Sequence, residues 1–260
     1  MLIDSHCHLE YLDNPDEAIA QAKTSGIEII VNPTVNAESA EKVLNLAKKH
    51  VGIYVALGIY PEEAARDWPS QAKAIEKLLA EKGKQVVAIG ETGLDFADAQ
   101  AKNQQEAQLQ LFKQHLEWAK QYQLPLVIHN RKASNEILDL VEAANLQIAP
   151  GVLHCFTGSK KFAKRALEMG FYLGIGGLLT YETGLQEVVK TIPLDRIVLE
   201  TDSPYLVPEP VRQEKRYPNE PANLIYTAQK LAELKQLSLE EVAAQTTQNV
   251  NLLFSLEGKY

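Results

Sequence analysis

Cysteine is scarce in this chain. Cys7 and Cys155, far apart, are the only two in 260 residues. That excludes a disulfide framework and suits a reducing compartment, so a cytoplasmic location is expected. No basic segment followed by an apolar run opens the chain, so no secretory leader is expected. No apolar stretch approaches the ~20 residues of a membrane span, and no membrane association is expected. Positive charge is also short: the net charge of −8 argues against nucleic-acid binding through overall charge and leaves only local basic patches to serve it. The sequence shows no tandem short repeat, low-complexity tract or interdomain linker. What is present is an ordinary globular balance, 45% hydrophobic and 23% charged, with a core large enough that neither metal nor disulfide is needed for folding.

Strand-like and helix-like segments alternate along almost the whole length. Strands are expected over 2–8, 27–32, 53–58, 86–91, 125–129, 151–155, 171–175 and 196–202. Helices are expected over 37–50, 70–82, 103–122, 134–144, 159–169, 182–190, 221–234 and 239–254, and a further one opens at Asn14-Pro15-Asp16-Glu17. There Asn14 is the N-cap, Pro15 the first helical residue and Glu17 the capping-box partner. In 103–122 the apolar stripe reads Leu109, Phe112, Leu116 and Ala119. Eight such units predict a parallel sheet with right-handed crossovers, closed into a (β/α)₈ TIM-type barrel, and 1–260 reads as one barrel domain. The alternative, an open dinucleotide-binding sheet, lacks its G-x-G-x-x-G after the first strand. The Pro-rich stretch from Pro204 to Pro221 is expected to form a stiff loop over the barrel mouth.

Residues able to bind metal recur at the strand ends. His6 and His8 are two apart, so they share a face of the first strand while Cys7 points away. Glu91 ends the fourth strand, His129 the fifth, His154 the sixth and Asp202 the eighth. In a barrel these C-terminal ends converge on one mouth, where catalytic groups sit. Four imidazoles and two carboxylates are too many for one tetrahedral ion with an open position, so two divalent ions are expected. In strand order Glu91 lies between the groups and is the candidate bridge. His6, His8 and Asp202 would hold one ion, His129 and His154 the other. Two ions about 3.5–4 Å apart suit in-line displacement at phosphorus, with Asp202 able to accept the proton of the attacking water. The mixed N/O set leaves Zn, Mn, Mg, Co and Ni open.

The motifs Asp4-Ser5-His6-Cys7-His8, Gly90-Glu91-Thr92-Gly93-Leu94-Asp95, Ile128-His129-Asn130-Arg131, His154-Cys155-Phe156-Thr157-Gly158 and Glu200-Thr201-Asp202-Ser203-Pro204-Tyr205 occur in that order. With Arg216 to Pro221 and Thr247-Gln248-Asn249 they make the chain resemble the TatD-type metal-dependent deoxyribonucleases of the amidohydrolase superfamily. The resemblance covers essentially the whole chain. It implies a TIM-type barrel, two metals on the six residues above, cleavage of DNA phosphodiesters and a cytoplasmic location. Two positions depart from the family pattern. Gly58-Ile59-Tyr60-Pro61 stands where the family has Gly-x-His-Pro, and Lys132 stands where an acidic residue commonly follows the strand-five Arg. Tyr60 can still donate a hydrogen bond or stack on a base.

Basic residues fall in loops after strands five, six and eight: Arg131 and Lys132; Lys160, Lys161, Lys164 and Arg165; Arg212, Lys215 and Arg216. They could form a basic crescent around the metals, or Lys160 to Arg165 could be a solvated helix face. Tyr60, Arg131, Lys160, Arg216 and Tyr205 are the candidate substrate contacts, and Asp202 and Glu91 the candidate catalytic pair. Phe96, Phe156, Tyr181 and Tyr205 could stack on unpaired bases or pack. Gly174, Gly176 and Gly177 could admit a phosphate or tight packing. The expected activity is a two-metal deoxyribonuclease, acting 3′ to 5′ on single strands, with DNA as the partner and the chain a monomer. A hydrolase of a small ester, lactone or amide is the alternative, although related lactonase-type barrels bridge their metals with a modified lysine. A catalytically silent nucleic-acid-binding module is the third reading.

Overall fold

The computed structural model describes residues 1–97, 104–146 and 150–256. Eight strands form one parallel sheet in chain order: β1 (Leu2–Asp4), β2 (Ile27–Pro33), β3 (Ile53–Leu57), β4 (Val86–Asp95), β5 (Leu126–Arg131), β6 (Gly151–Leu153), β7 (Tyr172–Ile175) and β8 (Ile197–Leu199). The helices among the described residues are α1 (Pro15–Thr24), α2 (Ala37–Lys49), α3 (Trp68–Ala80), α4 (Gln105–Tyr122), α5 (Ser134–Ala144), α6 (Lys160–Glu168), α7 (Thr183–Val189), α8 (Leu224–Lys235) and α9 (Leu239–Phe254). Their starts follow local chemistry. The Asn14 side chain accepts the Glu17 N–H at 3.2 Å, with Pro15 behind it. Capping boxes join Asn36 to Ser39 and Ser238 to Glu241.

The barrel closes without a regular ladder between β8 and β1. Ser5 N–H donates to the Leu199 carbonyl at 2.9 Å, Asp202 N–H to His6 at 2.9 Å and His8 N–H to Ser203 at 2.8 Å. Between them the buried Asp4 carboxylate takes the Thr201 N–H at 3.0 Å and the Thr201 hydroxyl at 2.6 Å. A side chain thus replaces one rung of a parallel ladder. This explains why β1 and β8 stop at Asp4 and Leu199, short of the expected 8 and 202. β6 stops at Leu153 for a similar reason: His154 N–H still reaches the Ile128 carbonyl of β5 at 3.0 Å, but Cys155, at φ 45°, gives its N–H to the Glu200 carboxylate at 2.5 Å. β4 instead runs past the expected end at 91 to Asp95, with a register shift between Ile89 and Thr92.

Two apolar layers result. Ile29, Val31, Tyr54, Ala56, Val87, Val127, Val152 and Val198 fill the barrel and meet Phe254 and Leu256 from the end of the chain. The opposite strand faces pack on the helices. Ligand residues stand one or two period-2 steps above interior valines: Val127 below His129, Val152 below His154, Val198 below Asp202. α4 is rolled relative to the expected stripe. Leu109 is only partly buried, while Gln108, Leu111, His115 and Trp118 face inward beside Phe112, Leu116 and Ala119. Gln108 and His115 turn inward because they bond to backbone at the barrel mouth. The start expected for this helix at 103 lies outside the described residues, and His50 caps α2 rather than lying within it. Among the described residues no helix is long and apolar enough to cross a membrane.

Candidate metal centre

The six expected ligands meet at the C-terminal mouth of the barrel. His6 Nε2 and His8 Nε2 are 3.1 Å apart. Each faces Glu91 Oε2, at 3.6 and 3.4 Å, and Asp202 Oδ1, at 3.5 and 3.7 Å. Ligand atoms bound to a tetrahedral ion at about 2.0–2.2 Å stand roughly 3.3–3.6 Å from one another. The five separations fall on that spacing within a few tenths of an ångström, so His6, His8 and Glu91 could share one ion, with Asp202 close to both imidazoles; Asp202 also groups with His6 and His154. The other Glu91 oxygen, Oε1, faces a second group: His154 Nε2 at 2.9 Å and His129 Nδ1 at 3.2 Å, with the two imidazole nitrogens 3.3 Å apart. That is three corners with a fourth side open to the cavity. Each oxygen of Glu91 therefore serves a different group. Overlapping His6–His8–Glu91 and Glu91–His129–His154 clusters suit a two-metal active site, and these side chains fit it.

Burial and charge compete over protons here. Burial raises the Glu91 carboxyl, but the imidazoles of His154, His129 and His6 outweigh it and hold the group well below the carboxylate range. Burial also lowers His6, with the neighbouring His154 charge adding to the effect. Burial pushes Asp202 up to about 6 against the pull of His154 and His8. A deprotonated bridge and a neutral His6 are ready ligands, whereas in His8 (raised to about 9), His129 and His154 the surrounding carboxylates outweigh burial, so these imidazoles must release a proton to bind a metal.

Carboxylates stand behind three of the four imidazoles. Asp95 Oδ2 lies 3.2 Å from His129 Nε2, Glu200 Oε1 3.7 Å from His154 Nδ1 and Glu10 Oε1 4.0 Å from His8 Nδ1. Such partners orient imidazole ligands and raise their basicity. Glu200 fits because Gly174 leaves it room: a Cβ there would lie 2.3 Å from Glu200 Oε2. That places Gly174 in tight packing. Parity was the available signal for two of these. Asp95 follows Glu91 by four residues and Glu200 precedes Asp202 by two, so each shares its ligand's face.

α4 braces the second group. Gln108 Oε1 accepts the Asp95 N–H at 2.9 Å while its amide donates to the Asp95 carbonyl at 3.1 Å. His115 Nε2 accepts the Ile59 N–H at 2.9 Å, and its Nδ1–H donates to Leu111 at 2.7 Å, so both ring nitrogens of the neutral form are used. Ile59 precedes Tyr60, whose hydroxyl is 3.3 Å from His129 Nε2 and whose ring lies edge-on to His129.

A cavity of about 390 Å³ opens above the ligands. Tyr60 and Tyr205 line it, together with Tyr11, Glu62 and Glu63, which were not among the expected contacts. Arg131 is outside the lining, 3.6 Å from Asp95 and mostly exposed. Lys160 lines a separate groove with Leu167, Ile192 and Arg196, and Arg216 is paired with Glu214 at 2.7 Å. Phe96 and Phe156 are buried, the latter stacked on Phe162, and Tyr181 lies under Arg212. Cys7 is buried, whereas Cys155 lines the cavity. The Pro-rich loop is tied down, with Asn219 N–H donating to Pro204 and the Asn219 amide to Thr201.

The model of the TatD-related DNase family matches residues 3–255. The uncharacterized metal-dependent hydrolase YabD of Bacillus subtilis is 35% identical over 98% of this chain and 100% of its own length. YcfH of Escherichia coli, described in the same terms, is 31% identical over 98% of this chain and 96% of its own. The crystal structure of the Escherichia coli TatD homologue YjjV superposes with a TM-score of 0.91 at 28% identity, covering 98% of both chains. A two-ion cradle on a barrel shared over nearly its full length with these hydrolases places the chain in the TatD-related DNase family, as a metal-dependent hydrolase.

Proposed function

We propose that the chain is a two-metal deoxyribonuclease that removes nucleotides from the 3′ ends of single strands. The observation that carries this reading is the split of the Glu91 carboxylate, one oxygen to each ligand group, beneath an open cavity. Two divalent ions held there would supply a nucleophilic water at neutral pH and neutralise charge on both the attacking and leaving oxygens of a phosphodiester. The chain's own residues do the rest. His6, His8 and Asp202 hold one end of the cradle, His129 and His154 the other, and Glu91 spans them. Asp202, at the cavity wall, accepts the proton of the attacking water. Tyr60, beside His129, donates its hydroxyl to a non-bridging phosphate oxygen. Arg131 meets the phosphate from outside the lining, and Lys160 and Arg216 act farther out, on the strand beyond the cavity.

The size of the cavity supports action on strand ends. At about 390 Å³ it is at the small end of ligand pockets, which run from about 300 to 1,000 Å³. Glu62 and Glu63 add negative charge to its wall, which disfavours a polyanion passing through.

The test is hydrolysis of single-stranded oligonucleotides, labelled at one end or the other, by chelator-stripped protein resupplied with Mg, Mn, Co or Zn. Metal-dependent shortening from the 3′ end is expected. Asp202→Asn should lower kcat by roughly 10²–10⁴-fold, the usual worth of a positioned base. The absence of Lys and Arg from the cavity lining among the described residues favours a second reading, hydrolysis of a small ester, lactone or amide. Turnover of such a compound with no cleavage of any oligonucleotide would select it.

A further inference from the structure

Beyond the ligand residues, a phosphodiester entering the cavity meets aromatic surface and carboxylates, and no Lys or Arg among the described lining residues. Tyr60 packs edge-on against His129 and is more enclosed. Tyr11 and Tyr205 are different. They are 45% and 53% exposed, far more than the other aromatics around the ligands, and their rings flank the His8 imidazole at centroid distances of 5.9 and 6.2 Å.

Their backbones are nevertheless held. Tyr11 N–H donates to the His8 carbonyl at 3.2 Å and Tyr205 N–H to the Asp202 carbonyl at 2.9 Å. Each ring therefore hangs one turn beyond a ligand, on chain that the ligand itself anchors. The bond from His8 N–H to Ser203 joins the two turns. A tyrosine has two side-chain torsions, so on a held backbone it gives up little entropy when it meets a flat partner. An exposed ring pair, held in place at a cavity whose lining has no Lys or Arg among the described residues, is suited to a flat, weakly polar group attached to the reacting phosphate.

We propose that Tyr11 and Tyr205 form a subsite for an unpaired nucleobase next to the scissile phosphate. The proposal rests on the deoxyribonuclease reading and deepens it by naming what is gripped. The base is recognised by its π face, so recognition tolerates any sequence. Inside a duplex that face is covered by the neighbouring pairs, so the subsite selects single strands and frayed ends.

The test uses metal-loaded Asp202→Asn protein, in which turnover is held back. Fluorescence anisotropy compares its affinity for a short dye-labelled thymidine oligonucleotide and for an abasic oligonucleotide of the same length and charge. The base-bearing strand should bind about 10-fold tighter or more, the usual worth of aromatic stacking on a base. Adding Tyr11→Ala and Tyr205→Ala should make the two strands bind alike. Adding Tyr11→Phe and Tyr205→Phe should keep the preference, because the ring faces remain. Equal binding with both tyrosines in place, a preference that survives the alanine pair, or one abolished in the phenylalanine pair would each overturn the subsite. The deoxyribonuclease reading fails separately, by absence of cleavage of any oligonucleotide by the wild-type protein.

Discussion

His6, His8 and Asp202 are held by chain segments that hold one another, whereas His129 is held by way of a helix that supplies no ligand. On the first side Asp4, Thr201, Ser203 and Asn219 knit the exits of β1 and β8 together, and the same bonds close the barrel. On the second side Gln108 and His115 of α4 reach in to fix Asp95 and Ile59, which in turn carry the partners of His129. The first side, His6, His8 and Glu91 with Asp202 beside them, is inseparable from the fold. The second has three corners, opens to the cavity and depends on bonds from residues well separated in sequence. An ion held on the first side would be expected to bind more tightly than one held on the second, where substrate arrives.

Glu91→Gln is the largest expected break, because Glu91 belongs to both sides. Elemental analysis should show content falling from about two ions to below about one per chain, with hydrolysis lost. Loss of one ion with full retention of the other would mean that Glu91 does not bridge.

Acid should weaken the second side's brace next. His115 is fully buried and, with burial as the dominant cause, its pKa is lowered to about 4 from an ordinary 6.5. Between those values the unfolded chain binds a proton that the folded one excludes. Stability therefore rises with pH across that window and is lost as pH falls through it. The full effect is about 3 kcal/mol. Denaturant unfolding from pH 7 to pH 4 should show His115→Gln losing less stability than the wild type by that amount. Parallel slopes for the two proteins would remove His115 from the account.

Asp95→Asn should act on one ion alone. Removing a carboxylate behind a ligating imidazole typically lowers metal affinity about 10–100-fold. Chelator competition should thus resolve one weakened and one unchanged ion, whereas Asp202→Asn should weaken the other. If both variants strip the same ion, the two sides are not independent.

Much of this was legible in the sequence, for definite reasons. Asn14-Pro15 and the 134–144 and 239–254 helices were readable because their signals are local. That the six expected ligands would converge was readable because they follow strands or lie near their ends, and a barrel brings those C-terminal ends to one mouth. The bracing was not readable. Nothing local says that Asp4 will stand in for a rung beside Thr201, or that Gly174 makes room for Glu200. The inward roll of α4 has the same origin. Leu109 carries the better apolar pattern, yet Gln108 and His115 face inward because each finds backbone partners from β4 and the loop after β3. Tyr11 was missed because its place in the cavity follows from a single turn after His8, beyond the strand pattern that located the ligands.

The smallest expected effect lies farthest from both sides. Lys160 and Lys161 are exposed on the first turn of α6, and Lys160 faces a groove apart from the cavity. If a single strand continues past the cavity over that turn, the two ammonium groups meet its phosphates without touching the reacting one. Lys160→Ala with Lys161→Ala should then leave kcat near that of the wild type. The same pair should lower affinity for long strands and flatten the slope of log affinity against log salt by about 0.7 for each phosphate no longer neutralised. The effect should vanish for an oligonucleotide too short to leave the cavity. That length dependence separates direct neutralisation from general electrostatics, because a change in the protein's overall field would weaken short and long strands together. An unchanged slope on long strands would make this turn ordinary solvated surface and leave Arg131 as the cation nearest the path.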